Sequence, residues 1–204
     1  MTAVLWAALG LGVATVLVRR RSVAIGLLAL QSLLVSATAL VLAPGRSEEF
    51  FAAALVLLVK ALLITALLGL AVSRTREVRP VRAGIDPLLR LGLTLAGVLA
   101  LNVLIPPVAG LDPTLQRTSL GILAAGIATV VLRRATILHL VGLLVAENGL
   151  ALAAVSIHGG LPVLIELGAL FDLTLLISVA IAFHDRIFML LGTGDSALLR
   201  ELHD

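Results

Sequence analysis

The chain has 204 residues, of which 60% are hydrophobic and 13% charged, with a formal net charge of +3 and a mean hydropathy of +1.17. Soluble domains carry about 25% charged residues, so this composition excludes a soluble globular domain and points to an integral membrane protein. The basic residues are almost all Arg, clustered between apolar runs, so the high pI reflects membrane topology and no nucleic-acid partner is expected; with no cysteine, disulfides, thiolate metal sites and iron–sulfur ligation within the chain are excluded as well.

In chain order, seven apolar runs approach the roughly 20 residues that a helix needs to cross about 30 Å of hydrocarbon. They are Ala3 to Val18, Val23 to Ala43, Phe50 to Val72, Leu88 to Ile105, Leu115 to Leu132, Ile137 to Ile157 and Leu161 to Phe183. The first lacks the basic n-region and cleavage site of a signal peptide and is expected to be a transmembrane helix. Pro44-Gly45, Pro106-Pro107 and Gly159-Gly160 stand in the breaks, where a helix ends or turns. The fold class expected is therefore all-α, a polytopic bundle of seven transmembrane helices.

Charge orients it. The first, third and fifth connections and the C-terminal tail hold twelve basic residues: Arg19, Arg20, Arg21, Arg74, Arg76, Arg79, Arg82, Arg90, Arg133, Arg134, Arg186 and Arg200. The other side holds Arg46 and Arg117. The positive-inside rule then places the N-terminus outside and the C-terminus in the cytoplasm, as a multi-pass protein of the cell membrane.

A repeat is visible within this order. "GLLALQSLL" (26 to 34) follows one Arg cluster and "GLLVAENGL" (142 to 150) follows another, which sets Gln31 against Glu147. The next span of each half has one central ionisable group, Lys60 in the first and Asp172 in the second. Two parallel three-helix units are expected, at residues 1–73 and 115–184, joined by a basic loop and connector helix at 74–114 and followed by a cytoplasmic tail at 185–204.

Gln31, Lys60, Glu147 and Asp172 share a depth near the bilayer centre, where a charged side chain costs roughly 2.5–3.5 kcal/mol and is rare unless it faces protein or water. One reading is a buried helix clamp, with Lys60 paired to an acid and Glu147 bonding across helices. The other is a proton relay, because a buried ammonium–carboxylate set can be poised near neutrality and switched by a nearby charge. Glu166, roughly 9 Å nearer the outer surface than Asp172, either leads toward an exit or snorkels at a wet helix end. Asn148 orients Glu147 or holds water, Gln31 can only bridge, and His139 is a secondary relay candidate at the cytoplasmic end of its helix. His158, His184 and His203 lie near helix ends or in the tail, no histidine pair has metal-ligand spacing, and nucleotide-binding and nucleophile motifs are absent from the sequence. Gly121, Gly126, Gly142 and Gly149 are expected to permit close helix packing.

Four segments, "ALQSLLVSA" (29 to 37), "LVKALLI" (58 to 64), "AENGLALA" (146 to 153) and "LPVLIELGALFDLTLLISVAIAF" (161 to 183), resemble the hydrogenase-4 component E (HyfE) family. That family supplies a membrane subunit of group 4 hydrogenases of the formate-hydrogenlyase type. The second half also resembles the three-helix subunit NuoK of complex I and the antiporter subunit MrpC, whose paired carboxylates correspond to Glu147 and Asp172. The resemblance implies a subunit without catalytic activity of its own, set among antiporter-like membrane subunits. It also implies a peripheral redox arm on the cytoplasmic side that holds nickel–iron or iron–sulfur centres, so that no cofactor resides in this chain. Lys60, Glu147, Asp172 and Glu166 would carry proton, or sodium, translocation. A subunit of a cation/proton antiporter without redox chemistry and a structural membrane scaffold are the alternatives.

Overall fold

The computed structural model describes residues 1–43, 47–75, 85–108, 112–133 and 135–156, together with Leu170, Thr174, Ile177 and Ser178. Every extended element among them is an α-helix: α1 (Thr2–Leu17), α2 (Arg21–Leu42), α3 (Glu48–Thr75), α4 (Pro87–Leu104), α5 (Pro113–Leu132) and α6 (Thr136–Ser156). All but α1 are long and apolar enough to cross a membrane, and the chain is a multi-pass membrane helix bundle. At 16 residues, α1 spans about 24 Å.

The first six expected runs coincide with these helices, and the differences at their ends have local causes. Helices α4 and α5 begin one and two residues earlier than hydropathy suggests, at Asp-Pro dipeptides. Asp86 Oδ1 accepts from Leu88 N at 2.8 Å and Asp112 Oδ1 from Thr114 N at 2.7 Å, while Pro87 and Pro113 occupy first-turn positions that need no N–H partner. Helix α3 runs past its apolar core at both ends, starting on Glu48 and Glu49, whose charges suit the positive end of the helix dipole. Helix α4 stops before Pro106, and Gln116 then clamps the following turn by donating to Pro106 O at 2.8 Å and accepting from Val108 N at 2.9 Å.

Helices α5 and α6 form the closest packed pair. A Cβ on Gly126 would overlap the Ala146 backbone nitrogen, and one on Gly149 would lie 2.6 Å from Leu123 N, so only glycine permits this approach. Gly121 serves a different contact, against Leu9 of α1 and Val98 of α4. Helix α1 packs on α2 and α5, α2 on α3 and α6, and α4 on α5, so the two expected units are interleaved through α1–α5 and α2–α6. Thr15 Oγ1 of α1 lies 3.4 Å from Thr129 Oγ1 of α5 at one such crossing.

Polarity is inverted on α4, whose buried residues are Arg90 and Thr94 while Leu88, Leu99 and Val103 are at least 65% exposed. An aqueous surface would not tolerate this array, but lipid or an apolar partner does. The seventh expected run, with Glu166 and Asp172, lies outside the described residues except for four positions. Leu170, Thr174, Ile177 and Ser178 are helical, and Ile177 is fully buried in the core.

Candidate functional site

Three central polar residues identified from sequence stand within about two residues of their helix midpoints: Gln31 on α2, Lys60 on α3 and Glu147 on α6. Apolar side chains surround them because each helix is apolar on nearly every face, so the polar groups must find their partners within the protein. Lys60 Nζ donates to Glu147 Oε1 at 2.5 Å, with the two side chains 6% and 20% exposed. Of the two central acids visible in the sequence, Glu147 is thus a direct partner of Lys60.

Asn148, the next residue, turns to α2. Its Nδ2 donates to Ser32 Oγ at 2.8 Å and to Gln31 Oε1 at 3.3 Å. Gln31, fully buried, passes the chain of bonds on by donating from Nε2 to Ala8 O of α1 at 2.9 Å. That amide fits because residue 12 of α1 is glycine: a Cβ there would lie 2.7 Å from Gln31 Nε2. A continuous polar line therefore joins α1, α2 and α6 at mid-depth, with the Lys60–Glu147 pair attached to its α6 end.

Beside the pair is a cleft with about 330 Å³ of empty space between α2, α3 and α6. Its polar lining is Ser32, Ser36, Lys60, Thr65, Glu147 and Asn148, and its interior has room for about one water molecule. A second cleft of about 250 Å³ continues along the same seam past Leu57 toward Phe50 and Val155. Helix α3 lies along α2 but stands away from α6 here, and the ion pair bridges the interval.

Chemically, an ammonium and a carboxylate in hydrogen-bond contact, edged by hydroxyls and a water-sized space, can pass a proton between them and to water. Ser36 and Thr65 were not singled out from sequence. Their hydroxyls donate to their own helices, at Ser32 O and Ala61 O, so nothing in the local pattern distinguishes them from ordinary helix residues. His139 lies elsewhere: its Nε2 is 2.6 Å from Arg133 O in the turn between α5 and α6, roughly 12 Å along α6 from Glu147. Glu166 and Asp172 lie outside the described residues. Among the described residues no three His, Asp or Glu side chains gather as metal ligands.

The protein described by name as "Uncharacterized protein Rv0085", from Mycobacterium tuberculosis, is 30% identical to this chain over 158 residues, covering 73% of the chain and 70% of the relative. No protein-family model matches the chain, and no solved structure matches it.

Proposed function

The chain belongs to the family of the mycobacterial protein Rv0085; from the geometry above and the resemblance of its polar segments to the HyfE family, we propose that it is a membrane subunit of a hydrogenase-4-like, complex I-related redox assembly. In this reading it has no catalytic activity alone. It holds a section of a buried charged axis through which redox turnover, on partner subunits, drives proton or sodium movement. The carrying observation is the Lys60–Glu147 pair at mid-membrane, in contact with a hydroxyl-edged cleft. In the same reading Asp172 and Glu166, known from the sequence, are the further relay candidates.

We also read the bundle as seven helices in two parallel three-helix units related by a pseudo-two-fold axis along the membrane normal. Two contacts support this. Aligning Arg19-Arg20 with Arg133-Arg134 sets "GVATVLVRR" (12 to 20) against "GIATVVLRR" (126 to 134), so that Thr15 and Thr129 are equivalent, and these two touch each other. Aligning Gln31 with Glu147 makes Ser32 and Asn148 equivalent, and they also touch. Equivalent residues meet where an axis passes between them. The Gly-Val-Ala-Thr and Gly-Ile-Ala-Thr match is the strongest part of the repeat.

Glu147→Gln and Asp172→Asn in the assembled complex test the relay. Loss of ion translocation with assembly and redox turnover kept is the expected result, and full coupled translocation in both variants would sink it. One observation favours a second reading, a purely structural clamp. Because α3 stands off α6 and the pair bridges the interval, loss of one member alone would then abolish assembly instead of translocation.

A further inference from the structure

The α1 C-terminus, remote from the mid-membrane pair, gathers an unusual set of cations. Arg90 of α4 donates from Nη1 to Val16 O at 3.0 Å, and Arg133, which caps α5, donates from Nη2 to Val18 O at 2.6 Å. These carbonyls are among those a helix end leaves without an intrahelical donor, so part of each guanidinium is explained as a cap on the negative end of the α1 dipole. The remainder is not. Arg90 is 1% exposed and Arg133 4% exposed, yet Arg90 Nε, Arg90 Nη2 and Arg133 Nε have no hydrogen-bond partner among the described residues.

The charges facing these groups make the anomaly sharper. Arg19, exposed at the end of α1, faces both, and Arg90 faces Arg133. Burial first, then the charges of Arg90 and Arg19, push the Arg133 guanidinium down from its ordinary value to about 10. Among the described residues one acid faces the cluster, Asp86 near Arg90, and its Oδ1 is already bonded to Leu88 N and Leu89 N at the start of α4. Several buried N–H donors on like-charged forks, at a helix end that lies level with the membrane interface, have the chemistry of a tetrahedral oxyanion site.

We propose that Arg19, Arg90 and Arg133 at the α1 C-terminus bind the phosphate of an anionic phospholipid headgroup. The acyl chains have a surface to follow: Leu88, Leu89 and Leu93, flanking Arg90 on α4, are 78%, 56% and 47% exposed. A free phosphate would use the same donors but not that apolar wall, which is why the lipid is the occupant the surface favours. The positive-inside count assigned these arginines to the cytoplasmic side, so the headgroup belongs to the inner leaflet, where anionic lipids attract basic segments.

The test is native mass spectrometry of the full-length protein extracted in a neutral detergent and offered phosphatidylglycerol or phosphatidylcholine. Selective retention of one phosphatidylglycerol is expected, weakened about tenfold in Arg90→Lys and in Arg133→Gln, as for loss of one charge-assisted hydrogen bond. Arg19→Gln changes an exposed residue outside any helix, so it tests the site in a folded protein even if a buried variant fails to fold. Arg117→Gln, exposed at the opposite end of α5, should bind like wild type. Equal retention of the two lipids, or equal phosphatidylglycerol retention by wild type, Arg19→Gln and Arg133→Gln, would overturn the proposal. A thermal shift with inorganic phosphate alone that Arg19→Gln abolishes, without lipid selectivity, would overturn the lipid assignment, and so would a protein partner retained through Arg90 in its place.

Discussion

Lys60 Nζ lies 2.5 Å from Glu147 Oε1, joining the middle of α3 to the middle of α6 across 87 residues of sequence. Separating such a pair by removing one member leaves a charge in a low-dielectric site without its counter-charge, which is destabilising by about 3–5 kcal/mol, whereas replacing both members by apolar groups is often neutral. Glu147→Leu is therefore expected to lower thermal stability markedly in detergent, and Lys60→Met/Glu147→Leu to recover most of it. A double variant as unstable as the single would show that the charges are not what holds α3 to α6. Ion movement separates the two functional readings in this same double variant: a relay loses it in an intact complex, and a clamp keeps it.

Tight backbone approach between α5 and α6 gives a second expectation. Gly126→Ala places a methyl against Ala146 N and 2.6 Å from Gly142 O, neither of which can rotate away, so the helices must separate. A loss of about 1–3 kcal/mol should appear as a lower unfolding temperature. Gly10→Ala meets nothing within 4 Å and should instead raise helix stability, by about 0.5–1 kcal/mol.

The amide line across α2 and α6 is graded. Asn148→Leu removes donors to both Ser32 and Gln31 and leaves the fully buried Gln31 carbonyl without that partner, a penalty of about 1–3 kcal/mol. Ser32→Ala should be milder, because Asn148 keeps Gln31 Oε1. Comparable losses in the two variants, measured as urea or thermal midpoints, would mean that the Gln31 contact contributes little.

Orientation is directly testable because the sequence has no cysteine. Glu48 and Ser73 are exposed at opposite ends of α3. In intact cells, Glu48→Cys should react with a membrane-impermeant maleimide and Ser73→Cys only after permeabilisation. The reverse pattern would invert the topology inferred from arginine counts.

The central site was partly legible because a polar residue inside an apolar run is visible without any structure. Gln31, Lys60, Glu147 and Asn148 all announce themselves in that way. Ser36 and Thr65 do not, since hydroxyls bonded to their own helix backbone are compatible with lipid, and only the position of the cleft brings them to the pair. The glycines were expected to pack closely, but which helix each one meets was not: Gly126 and Gly149 serve α5–α6 contacts, and Gly121 serves α1 and α4.

What the sequence alone determined is whatever one segment decides for itself: six described helices, with ends set by Asp-Pro caps, prolines and polar breaks, and a charge bias between their ends. Insertion in lipid depends on apolar content summed along each helix, and that sum needs no knowledge of neighbours. The tertiary structure alone decided that Lys60 meets Glu147, that Asn148 turns to Ser32, and that Arg90 and Arg133 are buried on the end of α1 instead of lying in water. Those outcomes depend on the rotation and crossing of helices far apart in the chain, where side-chain shape and small residues set the contact, and the average hydropathy of a helix carries no information about either.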